Sequence, residues 1–348
     1  MMFLYITSSV AETLQQNTDI TLNQAIQLTV ERSPDLLRYG YEIHIQDSLL
    51  TQSKLPQIPT LGVEFENGFG SGEFSGLKRL ETTISIGWLF NKSEVAQRVN
   101  IAQANYDYSY NESEIARIDA AAETAERYLI CLANQNRKIT AIDAFKLAES
   151  TILAVEKRVN ASRAPKAELA RAHAQLALRK LALDDIEHEL ENSYTRLAAQ
   201  WGDFEPYFSN VSGDISSLPS LESYEVIREQ IKQNPQFSRI LSKERLAKSE
   251  LKLAKTLSKP QWRIEGGIRR FEAEDDQALL LNLSVPLRFK NQNQGNVAAK
   301  YAQLEKLHSE STALEVRLNS DLFILYQELQ HSIHRATTLE SVVIPLIT

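Results

Sequence analysis

The chain has 348 residues, 43% of them hydrophobic and 24% charged, with a formal net charge of −7. That composition argues against a disordered chain and against binding a nucleic-acid backbone, which needs a basic face. The single cysteine, Cys131, excludes an intrachain disulfide. No run approaches the ~18–20 apolar residues of a membrane-spanning helix, so only β-strands could carry this chain across a membrane.

The chain begins with an apolar stretch, Met1 to Ile6. Ser9 and Ala11 suit the small-residue positions of a secretory cleavage site, but no basic segment precedes them. Residues 1–20 are therefore expected to be a signal-peptide remnant and an N-terminal tail. From Thr21 to Lys54 the pattern is helical, with Thr21 or Asn23 as the cap and Leu22, Ala25, Ile26 and Val30 at helical spacing. Ser33-Pro34 breaks it, and Pro56 and Pro59 close it.

TLGVEFEN then alternates Leu61, Val63 and Phe65 against Gly62, Glu64 and Glu66, which is the period of a strand. ETTISIGWLF does the same, with Ile84, Ile86, Trp88 and Phe90 against Thr83, Ser85, Gly87 and Leu89. The two form a β-hairpin, 60–90. Its long loop, NGFGSGEFSG, lacks the Lys-Ser/Thr of a phosphate-binding loop and leads into no helix, so a flexible tip is expected.

Residues 94–202 carry the most regular pattern in the chain. Leu169, Leu176, Leu183, Leu190 and Leu197 recur at every seventh position, with Ala172 and Ile186 three residues after two of them. Ile115, Ile118, Ala122, Ala125, Leu129 and Leu132 are read as the facing seam of the first arm. A slip at Ile139, Ile142 and Phe145 overwinds the seam before Ile152, Val155 and Val159 resume it. An arm of ~60 residues would be roughly 90 Å long. That ascending arm and a returning helix, Pro165 to Trp201, reverse near Ala164-Pro165 and make a long helical hairpin.

A turn-rich connector, 203–219, follows, and the pattern begins again. SYEVIREQIKQNPQF is a helix broken at Asn234-Pro235, and a second helix runs to Pro260. QWRIEGGI and QALLLNLSVPL read as strands of a second hairpin, 261–287, joined by the polar RRFEAEDD. A long helix occupies 295–348. The match of Ser33-Pro34 to Asn234-Pro235, of Pro59 to Pro260 and of Asn100-Ile101-Ala102 to Asn296-Val297-Ala298, each offset by about 200 residues, marks an internal repeat. The repeats are 21–202 and 220–348, and the second is expected to be truncated before its returning helix.

Each strand sets an apolar face against small or polar residues and is ~8–10 residues long, close to the ~9–11 of a tilted transmembrane strand. Phe65, Trp88, Phe90 and Trp262 lie near strand ends, where membrane-interface girdles are found. Four strands cannot close a barrel, and in lipid every edge must be paired, so closure needs several copies; three would supply twelve strands. Leu61, Val63, Phe65, Ile84, Ile86, Trp88, Trp262, Ile264, Leu281 and Leu283 are then the lipid-facing residues. The fold class read here is mostly α with a small β part: antiparallel coiled-coil hairpins plus β-hairpins that contribute to an oligomeric transmembrane barrel.

TLNQAIQLTVERSPDL, EFSGLKRLETTISIGWLF, KRVNASRAPKAELARAHAQL, RLAAQWG and GGIRRFEAEDDQALLLNLSVPLRFKNQNQG, in that order and spacing, resemble the TolC-like outer-membrane efflux proteins. The likeness is strongest to the branch serving heavy-metal (cobalt–zinc–cadmium type) resistance–nodulation–division pumps. It implies a homotrimer in the outer membrane of a Gram-negative bacterium, with a twelve-stranded barrel continued by a periplasmic helical barrel. It also implies a periplasmic adaptor and an inner-membrane pump as partners, and a passive exit duct carrying heavy-metal cations. By the same resemblance Arg158, Val159, Ala164, Pro165, Glu168, Leu169 and Ala172, at the turn of the helical hairpin, meet the adaptor. Where the family has a glycine-rich turn with a basic pair after the second strand, this chain has NKSEVAQR.

No nucleophile–base arrangement is recognisable, and no enzyme activity, cofactor or metal site is expected. Glu305…His308 and Glu328…His331 repeat the Glu-x-x-His of di-iron bundles, but on one helical pattern they would be about 35 Å apart and could not share a metal. His331 and His334 read as solvated helix-surface residues. The alternative from another class is a periplasmic or soluble coiled-coil scaffold without a pore. It accounts for the heptads and the acidic charge, but not for two amphipathic hairpins at equivalent points of a repeat.

Overall fold

The structure is a computed structural model that describes residues 19–215, 220–286 and 293–347. The expected signal segment up to residue 18, the end of the connector at 216–219, the segment 287–292 and Thr348 lie outside the described residues. The order of elements is α1 (Leu22–Arg32), α2 (Pro34–Ser53), β1 (Thr60–Glu66), β2 (Glu81–Phe90), α3 (Lys92–Asn160), α4 (Lys166–Ala198), α5 (Tyr224–Gln230), α6 (Pro235–Leu257), β3 (Trp262–Phe271), β4 (Asp276–Ser284), α7 (Gln294–Thr338) and α8 (Ile344–Ile347). Helix, helix, strand, strand and long helix thus recur in that order. The chain divides into two compact units, one of residues 1–38 and 113–221 and one of 39–112 and 222–348.

In the first unit, α1 starts at a capping box: the Thr21 hydroxyl accepts from Gln24 N–H, and the Gln24 side chain reaches back to the Thr21 N–H. Such a cap satisfies two of the backbone donors that a helix start leaves orphaned. The core lies where α1 meets the middle of α3, the base of α4 and the connector. Ala25, Tyr128, Cys131, Leu132, Leu190, Tyr194, Leu197, Trp201, Phe208 and Val211 close around one another. The connector contributes more than a link: Phe208 packs edge-on against Tyr194, with ring centres 5.4 Å apart. A parallel bridge joins Ile20 to Val211, and the Tyr128 hydroxyl donates to the carbonyls of Ile20 and Ser212. Gly202 ends the helix at φ +90, and a Cβ there would lie 3.0 Å from Pro34 Cγ, so both the backbone angle and the close approach require glycine.

The leucine heptad of α4 faces inward, and its burial deepens from Leu169, Leu176 and Leu183, which are half-buried, to Leu190 and Leu197, which are buried. The seam expected for the first part of α3 is corrected by the structure. Ile118 and Leu129 are more than half exposed, while Thr124, Tyr128 and Cys131 face the core beside Leu132. The reason lies in hydrogen bonding. Thr124 donates to Ala120 O at 2.7 Å and shares a 2.9 Å hydroxyl contact with Thr29, which in turn reaches Ala25 O at 3.0 Å. Satisfied hydroxyls can be buried at little cost, so a polar stripe outcompetes an apolar one as the inner face.

In the second unit, α6 packs on α7, and Ala247, Leu251 and Ala254 of α6 and Leu307 and Leu314 of α7 are buried. The first stretch of α3 is tied to α6 by Asn111, whose amide donates to Ser242 Oγ at 2.7 Å, and by the pair of Arg239 with Glu112 at 3.6 Å. The four strands form one antiparallel sheet in the order β1-β2-β3-β4. The two hairpins, separate in the sequence, are therefore joined by β2 and β3, paired from Glu81↔Phe271 to Phe90↔Trp262. β3 also runs further than expected: Arg269, Arg270 and Phe271 belong to the strand, and only 272–275 form the turn.

Candidate functional site: a two-faced sheet and a helical turn

Register decides which side chains share a face. Leu61 pairs with Ile86, Ile86 with Gly266, and Gly266 with Leu281. Val63, Ile84, Ile268 and Leu279 form the next apolar row, and Trp88, Ile264 and Leu283 another. The rows make one continuous apolar face across all four strands. That face is open: Leu61 is 71% and Leu281 79% exposed, whereas Thr83 and Ser85, on the other face, are 2% and 5% exposed. A sheet in water has the opposite arrangement, with its apolar side covered.

The aromatic residues fall at the two ends of this face. Phe90 and Trp262 are cross-strand partners beside Trp88 at one end, and Phe65 stands opposite Thr82 at the other. The eight intervening steps along β2 span about 26 Å, or about 20 Å of height at a barrel tilt. Outer-membrane barrels carry an apolar band of ~25 Å bounded by aromatic girdles, which is the same scale.

The opposite face is polar and built closely. A Cβ on Gly267 would lie 2.5 Å from the carbonyl oxygen of Ile84, so the strands approach there only because the residue is glycine. Arg269 reaches from β3 to both strands of the other hairpin. Its guanidinium lies 2.8 Å from Glu66 and 3.1 Å from Glu81, and its Nε donates to Thr83 Oγ1 at 2.9 Å. Further along, the Ser85 hydroxyl donates to Glu265. The sequence reading missed Arg269, which it placed in a loop. The signal was present, since continuing the alternation of Glu265 and Gly267 puts Arg269 on the same polar face. The β1–β2 loop was expected to be a flexible tip. It is closed by backbone bonds, Phe69 N–H to Gly76 O and Gly70 N–H to Phe74 O, both 2.9 Å.

The helical hairpin turns at 161–165. Ser162 N–H donates to Val159 O at 2.9 Å and Arg163 N–H to Arg158 O at 2.8 Å, with Ser162 at φ +57. This pair of bonds is a Schellman closure, in which glycine is the usual left-handed residue. Pro165 precedes the first turn of α4, and Glu168 N–H returns to Pro165 O at 3.0 Å. Arg158 and Glu168 face one another across the turn at 3.6 Å. Of the residues expected at this tip, Arg158 and Pro165 are exposed, and Val159, Ala164, Glu168, Leu169 and Ala172 are half-buried. Beside them an open groove of about 500 Å³ runs between the arms, lined by Leu147, Thr151, Val155, Glu168, Ala172 and Gln175 among others.

Among the described residues no three His, Cys, Asp or Glu side chains come together as a metal site, and no helix is long and apolar enough to cross a membrane. Both Glu-x-x-His motifs lie on α7.

No protein-family model matches the chain. Over 326 residues it is 21% identical to the cobalt-zinc-cadmium resistance protein CzcC of Cupriavidus metallidurans, a match covering 94% of this chain and 77% of that protein. Among solved structures, the CmeC outer membrane channel of Campylobacter jejuni superposes with a TM-score of 0.70 at 14% identity, covering 94% of this chain and 75% of CmeC. The open state of the MtrE outer membrane channel of Neisseria gonorrhoeae superposes with a TM-score of 0.68 at 15% identity, covering 98% of this chain and 84% of MtrE.

Proposed function

We propose that this chain, a homologue of CzcC with the fold of the TolC-like outer-membrane efflux channels, is the exit duct of an efflux system. One observation carries the proposal. The sheet turns its apolar face outward and keeps a polar, ion-paired face on the other side, with β1 and β4 as open edges. In water this arrangement exposes a row of large apolar side chains and invites association; in lipid it is the stable one, provided that the edges pair. Three copies joined β1 to β4 would give a closed barrel of twelve strands, apolar outside and polar within.

The duct is passive, and no residue is assigned a catalytic role. Likeness to a cobalt-zinc-cadmium resistance protein supports heavy-metal cations as the cargo. The turn of Arg158, Val159, Ala164, Pro165, Glu168, Leu169 and Ala172 is the docking point for a periplasmic adaptor, which would connect the duct to an inner-membrane pump. The half-buried Leu169 and Ala172 beside an open groove supply the apolar contact area that such docking needs.

Envelope fractionation and the native mass of the detergent-extracted protein test this reading. A trimer in the outer-membrane fraction is expected. A soluble monomer that stays dispersed without detergent would overturn it and favour a coiled-coil scaffold. For the docking point, Ala172→Arg is expected to abolish adaptor crosslinking while the trimer persists; unchanged crosslinking would remove the tip from the adaptor interface.

A further inference from the structure

On the polar face of the sheet, long charged side chains are few, and their arrangement is uneven. The middle of that face sets Gly62, Ser85, Gly267 and Leu280 in one row, and Gly87 beside Glu265 and Asn282 in the next. Towards the turn end, three carboxylates stand together: Glu64 and Glu66 on β1 and Glu81 on β2. Glu66 and Glu81 are direct cross-strand partners, an arrangement in which like charges repel. The cation that answers them is Arg269, held 2.8 Å from Glu66 and 3.1 Å from Glu81 and fixed by its bond to Thr83. Arg270, the next residue, lies on the opposite face and is engaged by Glu272 and Asp275. At this end of the face one guanidinium thus partly neutralises three carboxylates, while Glu265, which accepts from the Ser85 hydroxyl, and Arg263 lie further along the same face.

We propose that Arg269 sets the charge preference of the barrel lumen, acting as a built-in partial neutraliser of the Glu64–Glu66–Glu81 group. This rests on the channel reading given above. If the polar face encloses water, three copies of the group form a ring of net negative charge. That ring favours cations, and Arg269 limits how strongly. Its geometry suits the role, because a guanidinium can hold two carboxylates at once. A unit charge about 7 Å from the ion path changes the local ion concentration about threefold in a water-like dielectric. The retained preference for cations matches the chemistry of a cation cargo, while compensation by Arg269 keeps cations from being held too tightly to leave.

The test is the reversal potential of the purified full-length protein in a planar bilayer under a potassium chloride gradient. Arg269→Gln is expected to raise the cation-over-anion permeability ratio about threefold or more. Adding Glu81→Gln to it removes one carboxylate in exchange for the lost guanidinium, and is expected to return the ratio towards that of the unaltered protein although the ion pair is gone. A merely structural role for Arg269 predicts otherwise: the double variant would be no closer to the original than the single one. Unchanged selectivity in Arg269→Gln, with conductance intact, overturns the inference and leaves the channel standing. Failure of the unaltered protein to conduct overturns the channel reading itself.

Discussion

The base of the helical hairpin and the four-stranded sheet use the same residue types in opposite ways. Around Leu197 and Trp201, leucine, tyrosine and tryptophan are shut away from solvent, down to 0% and 2% exposure. On the sheet, Leu61, Leu281 and Trp88 stand open while Thr83 and Ser85 are covered. Apolar side chains go where water is not. A core supplies that environment from within the chain, and an open apolar sheet face takes it from outside. Among the described residues nothing covers the apolar face of the sheet, and each prediction below bears on one side of that contrast.

The largest effect is expected at the core. Leu197→Ala removes a fully buried side chain and should destabilise the protein by about 2–5 kcal/mol, read as a lowered denaturation midpoint. On the sheet, Ile84→Arg should cost about 2–4 kcal/mol if the face is in lipid and next to nothing if it is in water, because Ile84 is already half exposed. Its readout is the yield of folded protein in the outer-membrane fraction.

A smaller and pH-dependent effect is expected at Tyr194, whose buried hydroxyl has no hydrogen-bond partner among the described residues. Burial pushes this phenol up to about 12, above its ordinary value of 10.0. In the unfolded chain the group ionises first, so its contribution to stability is complete below pH 10 and is lost as pH rises towards 12. Tyr194→Phe should flatten that alkaline decline without destabilising the protein at neutral pH, which denaturation at a series of pH values would check.

The smallest effect belongs to the turn. Ser162 holds a left-handed backbone angle that costs a non-glycine residue about 1–2 kcal/mol, so Ser162→Gly should recover about 1 kcal/mol at most, against the extra entropy of glycine. A rise of a few degrees or less in the melting temperature is the expected result.

Much of the sheet was legible in the sequence, because period two needs only its own strand. Leu61, Val63 and Phe65, then Ile84, Ile86 and Trp88, declared their common face without any knowledge of partners. The pairing of β2 with β3 was not legible, since nothing local in ETTISIGWLF or QWRIEGGI records the other. Arg269 and Arg270 read as loop residues for a related reason: a charged pair fits a strand only once Glu66 and Glu81 on one side, and Glu272 and Asp275 on the other, are known to meet it. In the hairpin, α4 declared its inner face through its leucines, but α3 did not. Ile118 and Leu129 outranked Thr124 and Tyr128 on hydrophobicity, and only the bonds of Thr124 to Thr29 and of Tyr128 to Ile20 and Ser212 explain why the polar residues are inside. The Ile20–Val211 bridge, between two segments without helical or strand pattern, left no trace in the sequence.

The central claim is that one face of the sheet is in lipid and the other in water. Cys131 is the chain's single cysteine and is buried, so single cysteines can be introduced elsewhere and spin-labelled with little background. Labels at Leu61, Val63, Glu64, Thr83, Ile84 and Leu281 of the protein reconstituted in lipid vesicles would be relaxed by oxygen, which collects in lipid, or by a water-soluble nickel chelate. The account predicts a strict alternation, with oxygen dominating at Leu61, Val63, Ile84 and Leu281 and nickel at Glu64 and Thr83. Nickel access at every position would place both faces in water and contradict it.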